Sequence, residues 1–147
     1  MRAVCQRVTQ ARVTVDGSVV AAIGPGLLVL VGVARDDTDD VADRLATRVA
    51  RLRVFEGDTP RFDRSVVDVG GEALVVSQFT LITDPARKKG ARPDFSGAAR
   101  PDTAEPIYDR FRRALAAHGI TVRADVFGAR MQVELVNDGP VTIILDA

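Results

Sequence analysis

Apolar and polar positions alternate along the chain with two different periods, and these periods predict its elements. Residues 13–20 read Val-Thr-Val, Asp-Gly, Ser-Val-Val. This pattern is typical of a hairpin, because Asp-Gly readily adopts the positive φ angles of a tight turn. Residues 27–33 are almost all aliphatic and predict a buried strand. Residues 72–82 predict a second long strand, which a polar stretch interrupts.

Two other stretches have the three- and four-residue spacing of amphipathic helices. The first, residues 36–53, carries aspartates at its start and arginines at its end, the polarity that the helix dipole favours. The second begins at Asp102, with Glu105 three residues later as in a capping box. Between the second long strand and this helix, residues 83–101 are rich in proline and glycine and predict a loop.

The C-terminal part of the chain returns to the strand period. Residues 131–136 alternate, residues 137–140 predict a turn, and residues 141–145 predict a closing strand. Many strands, two helices and glycine-rich turns favour an α+β fold. We expect a strongly curved, largely antiparallel sheet or barrel with the two main helices packed outside. Because no linker or repeat divides the chain, residues 1–147 are expected to form a single domain.

Composition excludes several classes of active site. Lysine and arginine total 20, as do aspartate and glutamate, so the formal charge is zero and any nucleic-acid contact must be local. Cys5 and His118 are the only residues of their types, which excludes an intrachain disulfide and a metal centre rich in Cys and His. His118 stands just before a glycine at the end of the second helical pattern, so we interpret it as a helix-end residue. The sequence therefore predicts neither a metal nor a cofactor.

The same residues predict where the protein works. The N-terminus lacks the apolar core of a signal peptide, and the longest apolar run is too short to span a bilayer. We therefore expect a cytoplasmic protein without a membrane partner.

Polar islands interrupt the apolar strands at two places and are the candidates for chemistry. A strand with one solvated face would explain the first island, and a plain hairpin turn would explain the second. A basic stretch follows the first island, and it suits a solvated loop as well as a contact with RNA phosphates. The first island comprises Ser77, Gln78, Phe79 and Thr80, the second comprises residues 137–140, and the basic stretch includes Arg87, Lys88, Lys89, Arg92 and Arg100.

The sequences around both islands resemble the two signature motifs of the D-aminoacyl-tRNA deacylase family. SQFTL at 77–81 and NDGPVT at 137–142 carry the resemblance. Further similar stretches follow in the family's order over nearly the whole chain. They are QRVTQARVTVDG at 6–17, IGPGLLVLVGV at 23–33, GGEALVVSQFTL at 70–81, ARPDFS at 91–96 and FGARMQVELVNDGPVT at 127–142.

The resemblance implies a homodimer that hydrolyses the ester between a D-amino acid, or misattached glycine, and the 3′-terminal adenosine of tRNA. Each active site would be shared between subunits. The first island would line the pocket for the aminoacylated adenosine, with Phe127 and Met131 as its walls. Gly139 and Pro140 of the neighbouring subunit, joined by a cis peptide bond, would enter it and reject L-amino acids by their main chain. Arg7 would hold that segment in place.

Two mechanisms are compatible with the residues of the first island. Thr80 could act as a nucleophile or position a water molecule, but an unaided threonine hydroxyl is poorly activated. We prefer the hypothesis that backbone N–H groups near Phe79 and Thr80 stabilise the oxyanion while the ribose 2′-hydroxyl of the substrate helps to place the water. Three alternatives remain: a catalytically silent RNA-binding dimer of the same fold, an esterase acting on small D-amino-acid esters, and a purely structural dimer.

Overall fold

The computed structural model describes residues 1–84 and 91–147. Within these residues, neither helix is long and apolar enough to cross a membrane. A short 3₁₀ helix, Phe79–Leu81, follows the sixth strand. The strands and α-helices are β1 (Arg2–Val15), β2 (Ser18–Ile23), β3 (Gly26–Gly32), α1 (Asp39–Ala50), β4 (Arg53–Glu56), β5 (Phe62–Ser65), β6 (Glu72–Ser77), α2 (Pro101–Ala116), β7 (Thr121–Ala124) and β8 (Gln132–Asp146).

The main sheet is built around the long strand β1. Its order is β2-β1-β3-β6-β7, and β8 pairs with the opposite edge of β1. Strand β1 is antiparallel to β2, β3 and β8, whereas β3, β6 and β7 run parallel to one another. Strands β4 and β5 form a separate antiparallel hairpin. The sheet curls into a nearly closed barrel with α1 and α2 outside, so the predicted fold class is confirmed.

Two apolar cores explain why β3 is aliphatic along its whole length. Leu27, Val29 and Val31 point to a core shared with the two helices. The alternate residues Leu28 and Leu30 point into a second core inside the curved sheet. Successive side chains of a strand leave opposite faces. A strand that is covered on both faces therefore shows no polar alternation, as the sequence of β3 indicates.

The predicted hairpin at Asp16-Gly17 is confirmed. These two residues have φ angles of 49° and 79° and connect β1 to β2. The prediction of one long strand over residues 72–82 is wrong beyond Ser77, where the chain leaves the sheet and enters the 3₁₀ helix. Gly32 allows this, because a Cβ atom there would lie 3.0 Å from the Gln78 carbonyl oxygen and 3.1 Å from the Leu81 Cβ. The 3₁₀ turn thus packs directly on the end of β3.

Both helices differ from their predicted starts. The first begins at Asp39 rather than at residue 36, because the Asp37 side chain is engaged in hydrogen bonds outside the helix. Its carboxylate accepts hydrogen bonds from the Met1 ammonium at 2.7 Å and from the Ala34 N–H at 2.6 Å. The second begins at Pro101 with Arg100 as its N-cap and no side-chain cap bond, so the capping box predicted at Asp102 does not form.

The predicted turn at residues 137–140 is also wrong, because β8 is one strand from Gln132 to Asp146. Both of its halves pair with the same neighbour: Asn137 lies opposite Val8, and Thr142 lies opposite Gln6. Between these pairs, β1 has one residue and β8 has four. Residues 138–141 therefore bulge out of the ladder, and we call them the projecting segment.

Candidate active site

A cleft of about 570 Å³ opens where β6 ends. Ser77, Gln78 and Phe79 of the first polar island lie along it, and Phe127 and Met131 contribute to its wall. The remaining lining is mostly apolar and comes from β3, the first turns of α2 and the start of β8. A concave, mostly apolar site with a few polar groups is the usual form of a small-ligand pocket.

The polar groups of the island are held in defined orientations. Ser77 donates from both its N–H and its Oγ to the carboxylate of Asp125, at 2.8 and 2.6 Å. The side-chain amide of Gln78 donates to Thr80 Oγ1. Within the described residues, no carbonyl accepts from the backbone N–H groups of Phe79 and Thr80. These two N–H groups begin the 3₁₀ helix, where the first amides have no partner within the helix, so they can bind an oxyanion.

Neither the Cys5 thiol nor the Thr80 hydroxyl is an activated nucleophile in this structure. Burial raises the pKa of the Cys5 thiol to about 12, so this group stays protonated at neutral pH. Thr80 is half-buried on the 3₁₀ helix, and its hydroxyl accepts from the side-chain amide of Gln78, which is not a base. In the described parts of the chain, no three His, Cys, Asp or Glu side chains are grouped so as to hold a metal ion.

The second polar island lies on the projecting segment, which Arg7 anchors. The peptide bond between Gly139 and Pro140 is cis, and both residues are exposed. The buried Arg7 side chain donates from Nε to the Asp138 carbonyl oxygen at 3.1 Å and from Nη1 to the Val54 carbonyl oxygen at 2.7 Å. Gly139 has a φ of 126°, and a Cβ atom there would lie 3.1 Å from the Arg7 guanidinium. The guanidinium thus packs closely against this glycine.

The two islands do not meet within one chain. Arg7 is opposite Leu27, which is opposite Ala73 at the beginning of β6, whereas Ser77 ends that strand. Four residues along a strand correspond to roughly 13 Å. The projecting segment also lies three strands away from β6, across β1 and β3. Accordingly, none of residues 137–142 lines the cleft in the described chain.

Comparison with known proteins gives the family. A sequence profile described as D-Tyr-tRNA(Tyr) deacylase matches residues 4–146. The chain belongs to this deacylase family. It is similar to proteins named D-aminoacyl-tRNA deacylase from Roseiflexus castenholzii, at 58% identity over all of this chain and 92% of that protein, and from Deinococcus radiodurans, at 54% identity over 99% of each. The resemblance predicted from the sequence is therefore confirmed.

Solved structures agree with this deacylase fold. A protein described as c-Myc DNA Unwinding Element Binding Protein superposes with a TM-score of 0.92 at 41% identity, over 100% of this chain and 99% of that one. A probable eukaryotic D-amino acid tRNA deacylase superposes with a TM-score of 0.85 over 99% of this chain and 98% of that one. At 19% identity, the second comparison supports the fold alone.

Sequence reasoning about this deacylase-family chain missed Asp125 and Tyr108. Nothing in the local pattern marks Asp125, because its partner Ser77 is 48 residues away. Tyr108 appears in the helical stripe of α2 as an ordinary core residue, yet its hydroxyl lies 2.5 Å from that carboxylate. Arg92 is exposed beyond the cleft-lining strand, whereas the predicted RNA contacts at Arg87, Lys88 and Lys89 lie outside the described residues.

Proposed function

We propose that this protein is an enzyme that hydrolyses the ester bond between a D-amino acid and the 3′-terminal adenosine of tRNA. The observation that carries the proposal is the cleft at the end of β6, where Ser77 and Gln78 of the Ser77–Thr80 motif present polar groups beside an apolar wall. Relatives that share more than half of this sequence are named for that activity. The chain then works as one domain over residues 1–147, in the cytoplasm, without a metal or cofactor.

The proposed chemistry uses the main chain rather than a side-chain nucleophile. The free N–H groups of Phe79 and Thr80 would stabilise the negative charge that develops on the ester carbonyl oxygen. A water molecule, which the ribose 2′-hydroxyl of the substrate helps to place, attacks that carbonyl. The bond to the ribose 3′-oxygen then breaks, and this oxygen takes up a proton from the attacking water, which releases the free amino acid and the tRNA. The Gln78 side-chain amide donates to the Thr80 hydroxyl. In this proposal the Thr80 side chain helps to orient the 3₁₀ turn and does not act as a nucleophile.

Contacts with RNA would surround the mouth of the cleft. The Phe79 ring is 60% exposed and packs edge-on against Phe95 at 5.3 Å, so one face can stack on a base. Arg92 and Arg100 are exposed on the segment that leads to α2, where they can meet phosphates of the acceptor end. The proposed contacts at Arg87, Lys88 and Lys89 belong to the same basic stretch of the sequence.

Selection between D- and L-amino acids requires the second island, and we propose that a neighbouring subunit supplies it. Since one chain keeps its projecting segment away from its own cleft, a homodimer is the arrangement that brings Gly139 and Pro140 to the Ser77–Thr80 motif. Exposed apolar residues on β8, Val136 at 47% and Ile144 at 62%, support an interface along this strand.

The proposed filter acts through backbone atoms. The Gly139 and Pro140 carbonyls would bind the α-amino group, so that an L-side chain meets the main chain and a D-side chain points out of the pocket. Backbone atoms cannot rotate away as a side chain can, and a thousandfold rejection requires only about 4 kcal/mol. Glycine has no side chain to exclude, so misattached glycine should also be removed.

The first test compares the decay of D-tyrosyl-tRNA and L-tyrosyl-tRNA with purified protein and no added metal. We expect rapid loss of the D-ester alone. Binding of both tRNAs without hydrolysis would instead indicate a nucleic-acid-binding protein that retains the fold and lacks the activity. Equal loss of the D- and L-esters would contradict the proposed filter.

A second test addresses the shared site by mixing two inactive variants. One carries Thr80→Pro, which removes a backbone N–H of the motif, and the other carries Gly139→Val in the projecting segment. After the subunits are exchanged, half of the dimers are mixed, and each mixed dimer has one site with both motifs intact. We therefore expect about a quarter of the wild-type activity to return. If both motifs act within one chain, mixing restores nothing.

A further inference from the structure

A carboxylate lies buried directly behind the Ser77–Thr80 motif. Asp125, which follows β7, is 9% exposed and, within residues 1–84 and 91–147, is one of the few buried polar residues. Its Oδ2 accepts the N–H and the Oγ hydrogen of Ser77 at 2.8 and 2.6 Å. Its backbone N–H is also fixed, because it donates to the Val75 carbonyl oxygen at 3.2 Å. Asp125 thus joins the end of β6 to the chain after β7, just where the parallel pairing of these strands stops.

The other carboxylate oxygen is held by α2. The Tyr108 hydroxyl lies 2.5 Å from Asp125 Oδ1 and 3.0 Å from the Val75 carbonyl oxygen. Burial, together with the charge of Asp125, raises the pKa of Tyr108 well above its ordinary value, so the phenol keeps its proton. Both carboxylate oxygens therefore receive hydrogen bonds, which a buried charge requires.

The bonds to Ser77 determine what its hydroxyl can do in the cleft. A serine hydroxyl has one hydrogen to donate and two lone pairs that accept. In this structure the hydrogen goes to Asp125, away from a ligand. The lone pairs remain, and Ser77 lines the cleft. Towards the cleft, Ser77 Oγ can therefore act only as an acceptor, for example for a ribose hydroxyl or for the attacking water.

We propose that Asp125 is a positioning residue that fixes Ser77 as a hydrogen-bond acceptor in the active site. The inference rests on the proposed function, since it assumes that the cleft holds the aminoacylated adenosine. It assigns to Asp125 an effect on the reaction rate, in addition to its effect on stability. It also predicts that Ser77 does not donate to the oxyanion, because its hydrogen is already engaged.

Two substitutions at Asp125 separate geometry from charge. In Asp125→Asn the amide oxygen must face Ser77, because the Ser77 backbone N–H can only donate and would clash with an NH₂ group. The new NH₂ group then faces Tyr108, whose hydroxyl can accept from it and donate to the Val75 carbonyl instead. The Asp125→Asn variant would thus preserve the Ser77 orientation. Asp125→Ala removes both acceptors and leaves the Ser77 hydroxyl free to rotate.

A matched control occurs elsewhere in the chain. Asp68 accepts the N–H and the Oγ hydrogen of Ser65 on one oxygen, both at 2.8 Å, at the end of β5. Asp68→Ala therefore removes the same pair of hydrogen bonds at a strand end that does not line the cleft. Asp68 is exposed, whereas Asp125 is buried beside Tyr108, so Asp68→Ala controls only for the loss of these two serine hydrogen bonds.

The experiment measures single-turnover cleavage of D-tyrosyl-tRNA at saturating enzyme for these variants. We expect Asp125→Ala to lower the rate by about tenfold or more, because misplacing a positioning group by a fraction of an ångström is costly. Asp125→Asn should stay within about threefold of the wild type, and Asp68→Ala should not change the rate. In a Ser77→Ala background, Asp125→Ala should add little, since the two residues act through one hydroxyl.

Hydrogen exchange over residues 72–82 provides a readout that does not need activity. We expect faster exchange at the Ser77 amide in Asp125→Ala and unchanged exchange in Asp125→Asn. A wild-type rate in folded Asp125→Ala would overturn the inference, as would Asp125→Asn falling as far as Asp125→Ala. If the wild-type protein cleaves no D-tyrosyl-tRNA, the proposed function fails. The exchange comparison would then still decide whether Asp125 fixes Ser77.

Discussion

Arg7→Ala is expected to destabilise the protein and to abolish most of its D-specific cleavage. The Arg7 side chain is buried and donates to the Val54 and Asp138 carbonyl oxygens, so it ties β1 both to the β4–β5 hairpin and to the projecting segment. Its removal leaves a buried carbonyl without a donor, which costs about 2–3 kcal/mol. Urea unfolding should show this loss. Cleavage of D-tyrosyl-tRNA should fall by at least about tenfold, because the projecting segment loses its anchor.

Arg12→Ala is the control for this change. Arg12 lies on the same strand and pairs with Glu134, at 2.9 Å between Nη2 and Oε1, but both side chains are exposed. An exposed ion pair contributes little, so neither stability nor cleavage should change measurably. If Arg7→Ala unfolds at the same urea concentration as Arg12→Ala, the anchoring role of Arg7 is refuted. Arg7→Lys should be intermediate, since an ammonium cannot reproduce the fixed fork of donors.

Gly26→Ala is expected to have the largest effect on folding. Gly26 begins β3 and pairs with Glu72, the first residue of β6. A Cβ atom on Gly26 would lie 1.9 Å from the Glu72 carbonyl oxygen and 2.8 Å from its carbonyl carbon. Since these are backbone atoms, no rotamer change can relieve the overlap. The two central parallel strands would have to separate, so we expect a loss of about 3 kcal/mol or more and a large fraction of insoluble protein.

Gly24→Ala tests the same turn without the overlap. The nearest atom to a Cβ at Gly24 is Glu72 Oε1 at 3.9 Å, an ordinary contact with a side chain. This variant should express and unfold like the wild type. A soluble Gly26→Ala with an unchanged thermal midpoint would show that β3 and β6 do not approach as closely as described.

Local sequence signals predicted the elements that short-range forces decide. The Asp16-Gly17 turn and the two amphipathic helices depend on residues within a few positions of each other, and all three form. Helix α2 begins at Pro101, although Asp102 and Glu105 are spaced for a capping box. A proline at the first helical position already suits a helix start, so the box is not needed.

Long-range contacts decided the features that sequence reasoning missed. Phe79, Thr80 and Leu81 suit a strand, but the chain leaves the sheet after Ser77, where Asp125 holds it and Gly32 leaves room for a tight turn. Likewise, residues 137–140 have turn-forming composition and do leave the ladder. The strand nevertheless continues beyond them, because β1 is long enough to pair with both halves of β8. Neither partner can be inferred from the neighbouring sequence.

The projecting segment also allows constraints from the fold to be distinguished from constraints from a binding partner. An insertion elsewhere in β8 would shift the register and turn every later side chain to the opposite face. Between Asn137 and Thr142, however, the pairs with Val8 and Gln6 hold the ladder on both sides, so the barrel can absorb a change in length there. Apart from the Arg7 contact with the Asp138 carbonyl and the burial of Val141, the architecture places no constraint on the length of this segment. If related proteins nevertheless keep the length of residues 138–141 constant, that constancy would indicate selection for a contact that these residues make with a binding partner.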